Sequence, residues 1–414
     1  MTGGDAPLAS LGSLPADRAQ AAVDACQEIV RIPSFSGDEE AAARCTVAMM
    51  ERLGYDEVSI DRAGNVLGWI RADAPEDERA DDGAVLLCSH LDVVDVGDES
   101  AWPHPPFSGV IEDGLLYGRG STDTKSSLIG QVHGAAWLRD WCRENGITRR
   151  RDVLVAAFVQ EEVGGLGASV FVDEGPRCAT AVIGEPSGGC LAFGHRGRTE
   201  VELTFHGRAA HASRPDWGRN PHYSLARFLT RLEDEVAHDE DPQLGPSSVA
   251  PTQVSARPAS VNVIPSEVQL VLDWRHVPSE TPEEIHERVA AVAKSCCGED
   301  ITSAVATPSR PLRSWTGVER DIDRVSKPFG TDRNGPLFTG AHSLLCEGLD
   351  RDVEVIPWDF ASDGGWLHAA GVTCLGYGPG TMKVMHAVAE SVSLELLKES
   401  VSGYALLSLA LCRS

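Results

Sequence analysis

Lysine is nearly absent from this sequence, which has five lysines among 414 residues. Lysine and arginine together number 36, against 62 aspartates and glutamates, which gives a net charge of −26. A surface with this charge repels phosphate backbones, so the composition argues against nucleic-acid binding. It favours solubility and attracts small cations. The acid-rich, lysine-poor usage indicates either a salt-adapted or a GC-rich source.

The sequence also lacks long apolar runs, Cys-x-x-Cys pairs and a signal-like start. No run approaches the roughly 20 apolar residues that a membrane-spanning helix needs. The 11 cysteines are dispersed, and the neighbours Cys296 and Cys297 cannot easily pair with each other, so we expect reduced thiols. Residues 1–16 lack the basic start and apolar core of a secretory signal. These features predict a soluble, cytoplasmic protein with no membrane partner.

The sequence has the composition of a large globular protein, and its length predicts two or three domains of about 150 residues each. Apolar strands alternate with helices at both ends of the chain. From about Phe193, strands instead alternate polar and apolar residues around two helical segments, with a polar loop expected over 237–259. We predict an α/β domain with a central, mostly parallel sheet (residues 1–193 and 307–414) and an inserted α+β, ferredoxin-like domain (194–306).

The most informative stretch is residues 85–92, where a short apolar strand ends in a histidine and an aspartate. Side chains two positions apart leave an extended chain on the same side, so His90 and Asp92 can face one pocket. Open α/β folds place their sites at this edge of the sheet. A neutral imidazole is a good zinc ligand, and a nearby carboxylate can hold its other nitrogen. Taken alone, such a pair also occurs in surface turns.

A second segment, residues 118–125, places an aspartate on a glycine-rich loop. The glycines allow a tight turn that brings Asp123 toward a buried site. Asp123 could equally cap the helix predicted to start at Ser126. The residues alone leave both interpretations open.

Two further strands lead to glutamates. The apolar strand over 153–159 ends before Glu161 and Glu162, and the strand over 181–184 ends before Glu185. Adjacent side chains diverge on an extended backbone, so one glutamate of the pair could bind a metal while the other faces a reacting water. A pair of exposed carboxylates before a turn is the alternative interpretation.

Together, these polar residues include two histidines and several carboxylates, and no cysteine. The set is His90, Asp92, Asp123, Glu161, Glu162, Glu185 and His386. Such donors suit a carboxylate-bridged pair of divalent metals. Asp123, on the glycine-rich loop, is the expected bridge. His90 with Glu185 would complete one metal site, and Glu162 with His386 the other.

The order and spacing of these motifs resemble the M20 metallopeptidase family, which includes acetylornithine deacetylases, succinyl-diaminopimelate desuccinylases, aminoacylases and glutamate-releasing carboxypeptidases. The matching segments are Ser-His-Leu-Asp at 89–92, Gly-Arg-Gly-Ser-Thr-Asp-Thr-Lys at 118–125, Glu-Glu at 161–162, Gly-Glu-Pro at 184–186 and the late His386. The resemblance covers nearly the whole chain. Residues 194–198 and 358–362 look nearest to the YgeY-like branch. The resemblance implies a zinc-exopeptidase-like catalytic domain and an inserted domain that serves as lid and homodimer interface.

The resemblance also implies a role for each candidate residue. Two zinc ions, or cobalt or manganese in their place, would be held by His90, Asp123, Glu162, Glu185 and His386. Asp92 would orient the first histidine, and Glu161 would act as the general base. In the inserted domain, His211 would reach a partner subunit's site to stabilise the oxyanion. Asn262 and Arg275 would hold the substrate carboxylate.

The implied reaction is hydrolysis of the amide bond of an N-acyl amino acid or small peptide by a zinc-bound water, with Glu161 as base. Glu185 fits the deacetylase and desuccinylase side of the family. A dipeptidase, a carboxypeptidase or an N-carbamoyl amidohydrolase stays open, because loops shape the acyl pocket. A serine hydrolase is disfavoured because Ser187 is one place late for Gly-x-Ser-x-Gly. A catalytically silent binding protein is disfavoured because every expected ligand position is filled.

Overall fold

The computed structural model describes residues 8–80 and 82–413, which form two compact units. Unit 1 contains residues 8–195, 312–320 and 329–413, and unit 2 contains residues 196–311 and 321–328. Within the described ranges, none of the helices combines the length and apolar character needed to cross a membrane.

Unit 1 is built on a nine-stranded sheet that is parallel at its centre. Its strands are β1 (Glu57–Ile60), β2 (Val66–Ile70), β3 (Ala84–His90), β4 (Val153–Phe158), β5 (Cys178–Ile183), β6 (Leu191–His195), β7 (Phe329–Gly330), β8 (Val355–Trp358) and β9 (Thr373–Gly376). The order is β1-β2-β4-β3-β5-β9-β6-β7, with β8 paired to β6. Strands β4, β3, β5 and β9 are parallel, so their carboxyl ends meet at one edge. The predicted α/β class with a central, mostly parallel sheet is confirmed.

Helices and short elements surround this sheet. The α-helices of unit 1 are Leu8–Gly12, Ala16–Val30, Glu40–Arg52, Ser126–Glu144, Leu166–Glu174, Pro336–Leu349, Gly364–Ala369 and Leu394–Arg413. A small sheet joins Ile111–Glu112, Leu115–Tyr117 and Ser391–Ser393. Strands β3 and β4 are buried along their whole length. Burial on both faces explains why they read as uninterrupted apolar runs in the sequence.

Unit 2 contains a five-stranded antiparallel sheet and two α-helices. The strands are Ser248–Arg257, Glu267–His276, Gly197–His206 and Thr302–Ala306 in sheet order, with Val325–Ser326 paired to Gly197–His206. The helices are His222–Glu235 and Pro282–Cys296. Shorter strands are Ala210–His211 with Val263–Ile264 and Glu240–Asp241 with Gly245–Pro246. The paired strands Ser309–Arg313 and Glu319–Asp323 each contain residues of both units. Alternate residues of Glu267–His276 are buried, which gives this sheet one apolar face for the helices.

The strand Ser248–Arg257 corrects the polar loop expected over 237–259. Most of its residues are exposed, so it has no apolar alternation that a sequence reading could detect. Its backbone pairs with Glu267–His276 at the edge of the sheet, with a register shift after Pro251. Proline is tolerated at such edge and bulge positions, and pairing with the partner strand decides the conformation.

Candidate metal centre

The carboxyl ends of β3, β4 and β5 carry the first candidate ligands. His90 is the last residue of β3 and pairs in register with Phe158, the last residue of β4. Glu161 and Glu162 follow β4, and Glu185 follows β5. Parallel pairing brings these segments to the same edge of the sheet, and His90 and Glu185 are both buried there. The candidate residues at the ends of these predicted strands therefore lie close together.

Asp123 lies between two histidines. Its Oδ1 is 3.1 Å from Nε2 of His90, and its Oδ2 is 3.1 Å from Nε2 of His386. Gly120, with φ of 84°, turns the preceding loop in a conformation that residues with a side chain rarely adopt. The Asp123 carboxylate therefore meets two imidazoles, and it does not cap the helix that begins at Ser126.

Glu185 and Glu162 complete two donor groups around Asp123. Oε1 of Glu185 is 3.8 Å from Nε2 of His90, and Oε1 of Glu162 is 3.3 Å from Nε2 of His386. Donor atoms of His90, Asp123 and Glu162 all lie within 4.8 Å of one another. All these donors are imidazole nitrogens or carboxylate oxygens, which zinc and similar divalent metals accept. The residues present therefore fit divalent ions and form a candidate metal site.

The charge at this site favours added cations. Hydrogen bonds to Asp123 and Glu162 raise the pKa of His386 to about 10. Burial raises the pKa of Glu185 well above its ordinary value, and the nearby Asp123 and Glu162 act in the same direction, although His90 opposes them. Bound divalent ions would supply the positive charge that these buried carboxylates lack.

Asp92 joins the first histidine to the segment after β4. The main-chain oxygen of Asp92 is 2.9 Å from Nδ1 of His90, and its Oδ1 is 3.5 Å from the same nitrogen. A proton on Nδ1 leaves the Nε2 lone pair directed toward Asp123 and a metal. The Asp92 carboxylate also accepts the backbone N–H groups of Glu161 at 3.0 Å and Glu162 at 3.2 Å.

The two adjacent glutamates have different surroundings. The Glu162 carboxylate contacts His386, as described above. Across residues 8–80 and 82–413, no side chain or backbone group makes a hydrogen bond to the Glu161 carboxylate. Burial raises its pKa well above the ordinary value, with His90 opposing and Glu185 reinforcing the shift. The two carboxylates therefore have different neighbours, although Glu161 and Glu162 lie in a turn after β4 and not on the extended backbone that was expected.

Two buried residues at the site were not predicted from the sequence to have a role there. Glu390 accepts the backbone N–H groups of Thr122 and Asp123, and its carboxylate pairs with the guanidinium of Arg119. Arg119 belongs to the 118–125 segment, but its partner lies 271 positions later in the chain. A contact over that distance leaves no periodic pattern in the sequence.

Unit 2 contains the remaining candidates. His211 and Asn262 are exposed and lie on neighbouring short segments, where the backbone N–H of Ala212 donates to the carbonyl oxygen of Asn262 at 2.9 Å. Arg275 makes a different contact, since its Nε donates to Oδ1 of Asp273 at 2.6 Å. The structure thus brings His211 and Asn262 close together, while the Arg275 guanidinium is paired with a carboxylate.

Comparisons with known proteins extend over most of the chain. Residues 86–410 match the family described as Peptidase family M20/M25/M40. The chain is 27% identical over 391 residues to "Uncharacterized protein YgeY" of Escherichia coli (strain K12), covering 93% of each protein. It is 25% identical over 396 residues to a succinyl-diaminopimelate desuccinylase of Stenotrophomonas maltophilia, covering 91% of this chain and 96% of that protein.

A solved structure shares the fold. The Bacillus subtilis YXEP protein, described as a dinuclear metal binding peptidase from the M20 family, aligns with a TM-score of 0.70 at 14% identity. The alignment covers 96% of this chain and 99% of that one. The resemblance drawn from the sequence motifs is confirmed by the family match. The chain belongs to the M20/M25/M40 peptidase family and is a hydrolase of amide or peptide bonds.

Proposed function

We propose that this chain is a dizinc amidohydrolase that removes the acyl group from an N-acyl amino acid, in the manner of a deacetylase or desuccinylase. The observation that carries the proposal is the position of Asp123, with one carboxylate oxygen 3.1 Å from His90 and the other 3.1 Å from His386. The desuccinylase relative, at 25% identity over 96% of its length, supports the substrate class.

These contacts support the ligand assignment. His90 and Glu185 would hold one ion, His386 and Glu162 the other, and Asp123 both. Nitrogen and oxygen donors without cysteine suit zinc, with cobalt or manganese as substitutes. When bound, the two ions supply the charge that polarises the scissile carbonyl and acidifies the attacking water.

Glu161 moves the proton in this proposal. Its carboxylate takes a proton from the attacking water and passes it to the nitrogen of the leaving amine. The lack of competing hydrogen bonds to this carboxylate within the described residues leaves both oxygens available. Asp92 fixes the backbone of Glu161 through a 3.0 Å hydrogen bond, which keeps the base in place.

The inserted segment, residues 194–306, would act as lid and homodimer interface. His211 would donate a hydrogen bond to the oxyanion of a substrate bound in the partner subunit, and its exposed position supports this role. Asn262 and Arg275 would bind the carboxylate of the substrate. Because Arg275 is paired with Asp273, the substrate would have to share its guanidinium with that carboxylate.

We place the reaction in the cytoplasm. All 11 cysteines are free thiols, which suits a reducing compartment. N-acyl amino acids and small peptides would reach the enzyme there as dissolved small molecules.

A substrate panel tests the proposed activity. Zinc-loaded protein is assayed with N-acetyl, N-succinyl and N-carbamoyl amino acids and with dipeptides, and the Glu161→Gln variant controls for a contaminating hydrolase. We expect the highest kcat/KM on an N-acetyl or N-succinyl amino acid. Cleavage of dipeptides or carbamoyl compounds with no action on acyl substrates would replace the proposed substrate class. Zinc-loaded protein that hydrolyses none of them would contradict the proposal.

A further inference from the structure

The loops that carry Asp123 and His386 leave the same small sheet. Strand Leu115–Tyr117 precedes the first loop, and strand Ser391–Ser393 follows the second. The two strands pair antiparallel, so both loops meet the sheet at the same end. Side chains of residues near these junctions can therefore reach from one loop to the main chain of the other.

Glu390 belongs to the His386 loop but holds the Asp123 loop. Its side chain is fully buried. Oε1 accepts the backbone N–H of Thr122 at 3.0 Å and that of Asp123 at 3.1 Å. Hydrogen bonds from backbone donors to a buried carboxylate are charge-assisted and therefore strong. Glu390 thus fixes the main chain at the residue that lies between the two histidines.

Arg119 belongs to the Asp123 loop but holds the His386 loop. Its guanidinium donates to the carbonyl oxygens of His386 at 3.4 Å and Ala387 at 3.5 Å and to the Glu390 carboxylate, and also to the carbonyl oxygen of Asp95 at 3.2 Å. It also lies over the ring of Trp102. Each loop therefore supplies the side chain that fixes the main chain of the other.

The His386 backbone needs such support. His386 has φ of 61°, a left-handed conformation that a residue with a side chain adopts only when its surroundings impose it. Its own imidazole contacts only carboxylates, Asp123 and Glu162, among the described ion pairs. The hydrogen bond from Arg119 to the His386 carbonyl oxygen holds the main chain of this strained residue.

We propose that Arg119 and Glu390 are positioning residues that set the separation of Asp123 and His386, and through it the affinity of the metal site that these two residues share. The inference rests on the proposed dinuclear centre. Loss of a residue that orients metal ligands typically lowers metal affinity by about 10–100-fold. The ion held by His90 and Glu185 shares Asp123 but should be affected less, because neither His90 nor Glu185 contacts the pair.

If the role of the Arg119–Glu390 pair were purely structural, its loss would lower the stability of the protein without weakening one metal site more than the other. Removing one member of a buried ion pair leaves an uncompensated charge, so some loss of stability is expected in either case. Arg149 supplies a matched control. It is also buried, donates to Asp73 at 2.7 Å and to a backbone carbonyl, and precedes β4 at the edge of the sheet opposite the candidate site.

The test is a cobalt(II) titration of metal-free full-length protein, followed by visible absorption and by the metal-to-protein ratio after gel filtration. Arg119→Met, Arg119→Lys and Arg149→Met are compared with the wild type, and thermal unfolding is recorded for each. Arg119→Lys keeps a charge for Glu390 but loses the planar fork that reaches several backbone carbonyls. It serves as the second variant if Arg119→Met does not fold.

We expect two cobalt ions per chain in the wild type and in Arg149→Met. In both Arg119 variants we expect one ion bound close to wild-type affinity and a second bound about 10–100-fold more weakly than in the wild type. Folded Arg119 variants that bind both ions as tightly as the wild type would overturn the positioning role and leave the dinuclear proposal unaffected. The same selective loss in Arg149→Met would also overturn it. A wild type that binds no second ion would remove the dinuclear proposal together with this inference.

Discussion

The carboxylate of Asp92 accepts the backbone N–H of Glu161 at 3.0 Å. The same side chain lies beside Nδ1 of His90, so one buried aspartate controls both a proposed metal ligand and the proposed base. In the proposed mechanism, metal binding and proton transfer are linked through a residue that would contact neither metal nor substrate.

Substitution of Asp92 should therefore weaken both functions. Asp92→Asn keeps the shape but loses the charge and turns one acceptor into a donor facing a backbone N–H. We expect kcat to fall roughly 100-fold and zinc affinity about 10-fold, measured by steady-state kinetics and zinc titration. Ser36→Ala is the control, because it deletes the hydroxyl that donates to Asp92 at 2.7 Å but leaves the carboxylate. Equal losses in the two variants would contradict the account.

The adjacent glutamates should separate into two phenotypes. Glu161→Gln should lower kcat by about 10²–10⁴ with metal content unchanged, because glutamine cannot accept the proton. Glu162→Gln should release or weaken one metal ion, since its carboxylate lies 3.3 Å from His386. Metal analysis beside kinetics distinguishes the two. The reverse pattern would show that the roles of the pair are exchanged.

Much of the site was predictable because its strands are buried on both faces. Ala84–His90 is an apolar run that ends in a proposed metal ligand, and the carboxyl ends of parallel strands lie at one edge of the sheet. The role of Glu390 was not predictable, because it depends on a contact with Arg119, which lies 271 positions away in the sequence. Strand Ser248–Arg257 was missed for a different reason. Its mostly exposed residues give no alternation of polar and apolar side chains, and only its backbone pairing with Glu267–His276 defines it as a strand.

His211 should affect turnover and not metal content. Removing one oxyanion donor typically costs 10²–10³-fold in kcat, so His211→Ala should fall in about that range. His206→Ala is the matched control, because His206 is another exposed histidine of unit 2 and has no proposed role. Kinetics and zinc analysis on both variants check this. A kcat for His211→Ala equal to that of His206→Ala would contradict the role.

Mixing two inactive variants tests whether His211 acts on the partner subunit. In a mixed dimer of Glu161→Gln and His211→Ala chains, one site contains both residues intact if His211 acts in trans. Part of the activity should then return. No recovery, with subunit exchange demonstrated by differently tagged chains, would mean that His211 acts within its own chain or not at all.

Acid should destabilise the protein through His133. This residue of helix Ser126–Glu144 is 9% exposed, and burial, with Arg18 and Arg52, lowers its pKa from 6.5 to about 4. The unfolded chain takes up a proton near pH 6.5 and the folded chain only near pH 4. The contribution to stability is therefore complete above pH 6.5 and is lost as the pH falls toward 4.

Replacement of His133 by methionine should remove this sensitivity. Between pH 7.5 and 5, the wild type should lose about 2 kcal/mol more of its free energy of unfolding than His133→Met. Urea unfolding of the two metal-free proteins at both pH values measures the difference. Equal losses would show that His133 is not the residue responsible.

The most direct test of the account is the position of bound metal relative to Asp123. Crystals of the zinc-loaded protein, measured at the zinc absorption edge, should show two anomalous peaks about 3.5–4 Å apart. One peak should contact His90 and the other His386, with the Asp123 carboxylate between them. A single peak, or two peaks that do not share Asp123, would contradict the bridged centre on which the proposed chemistry depends.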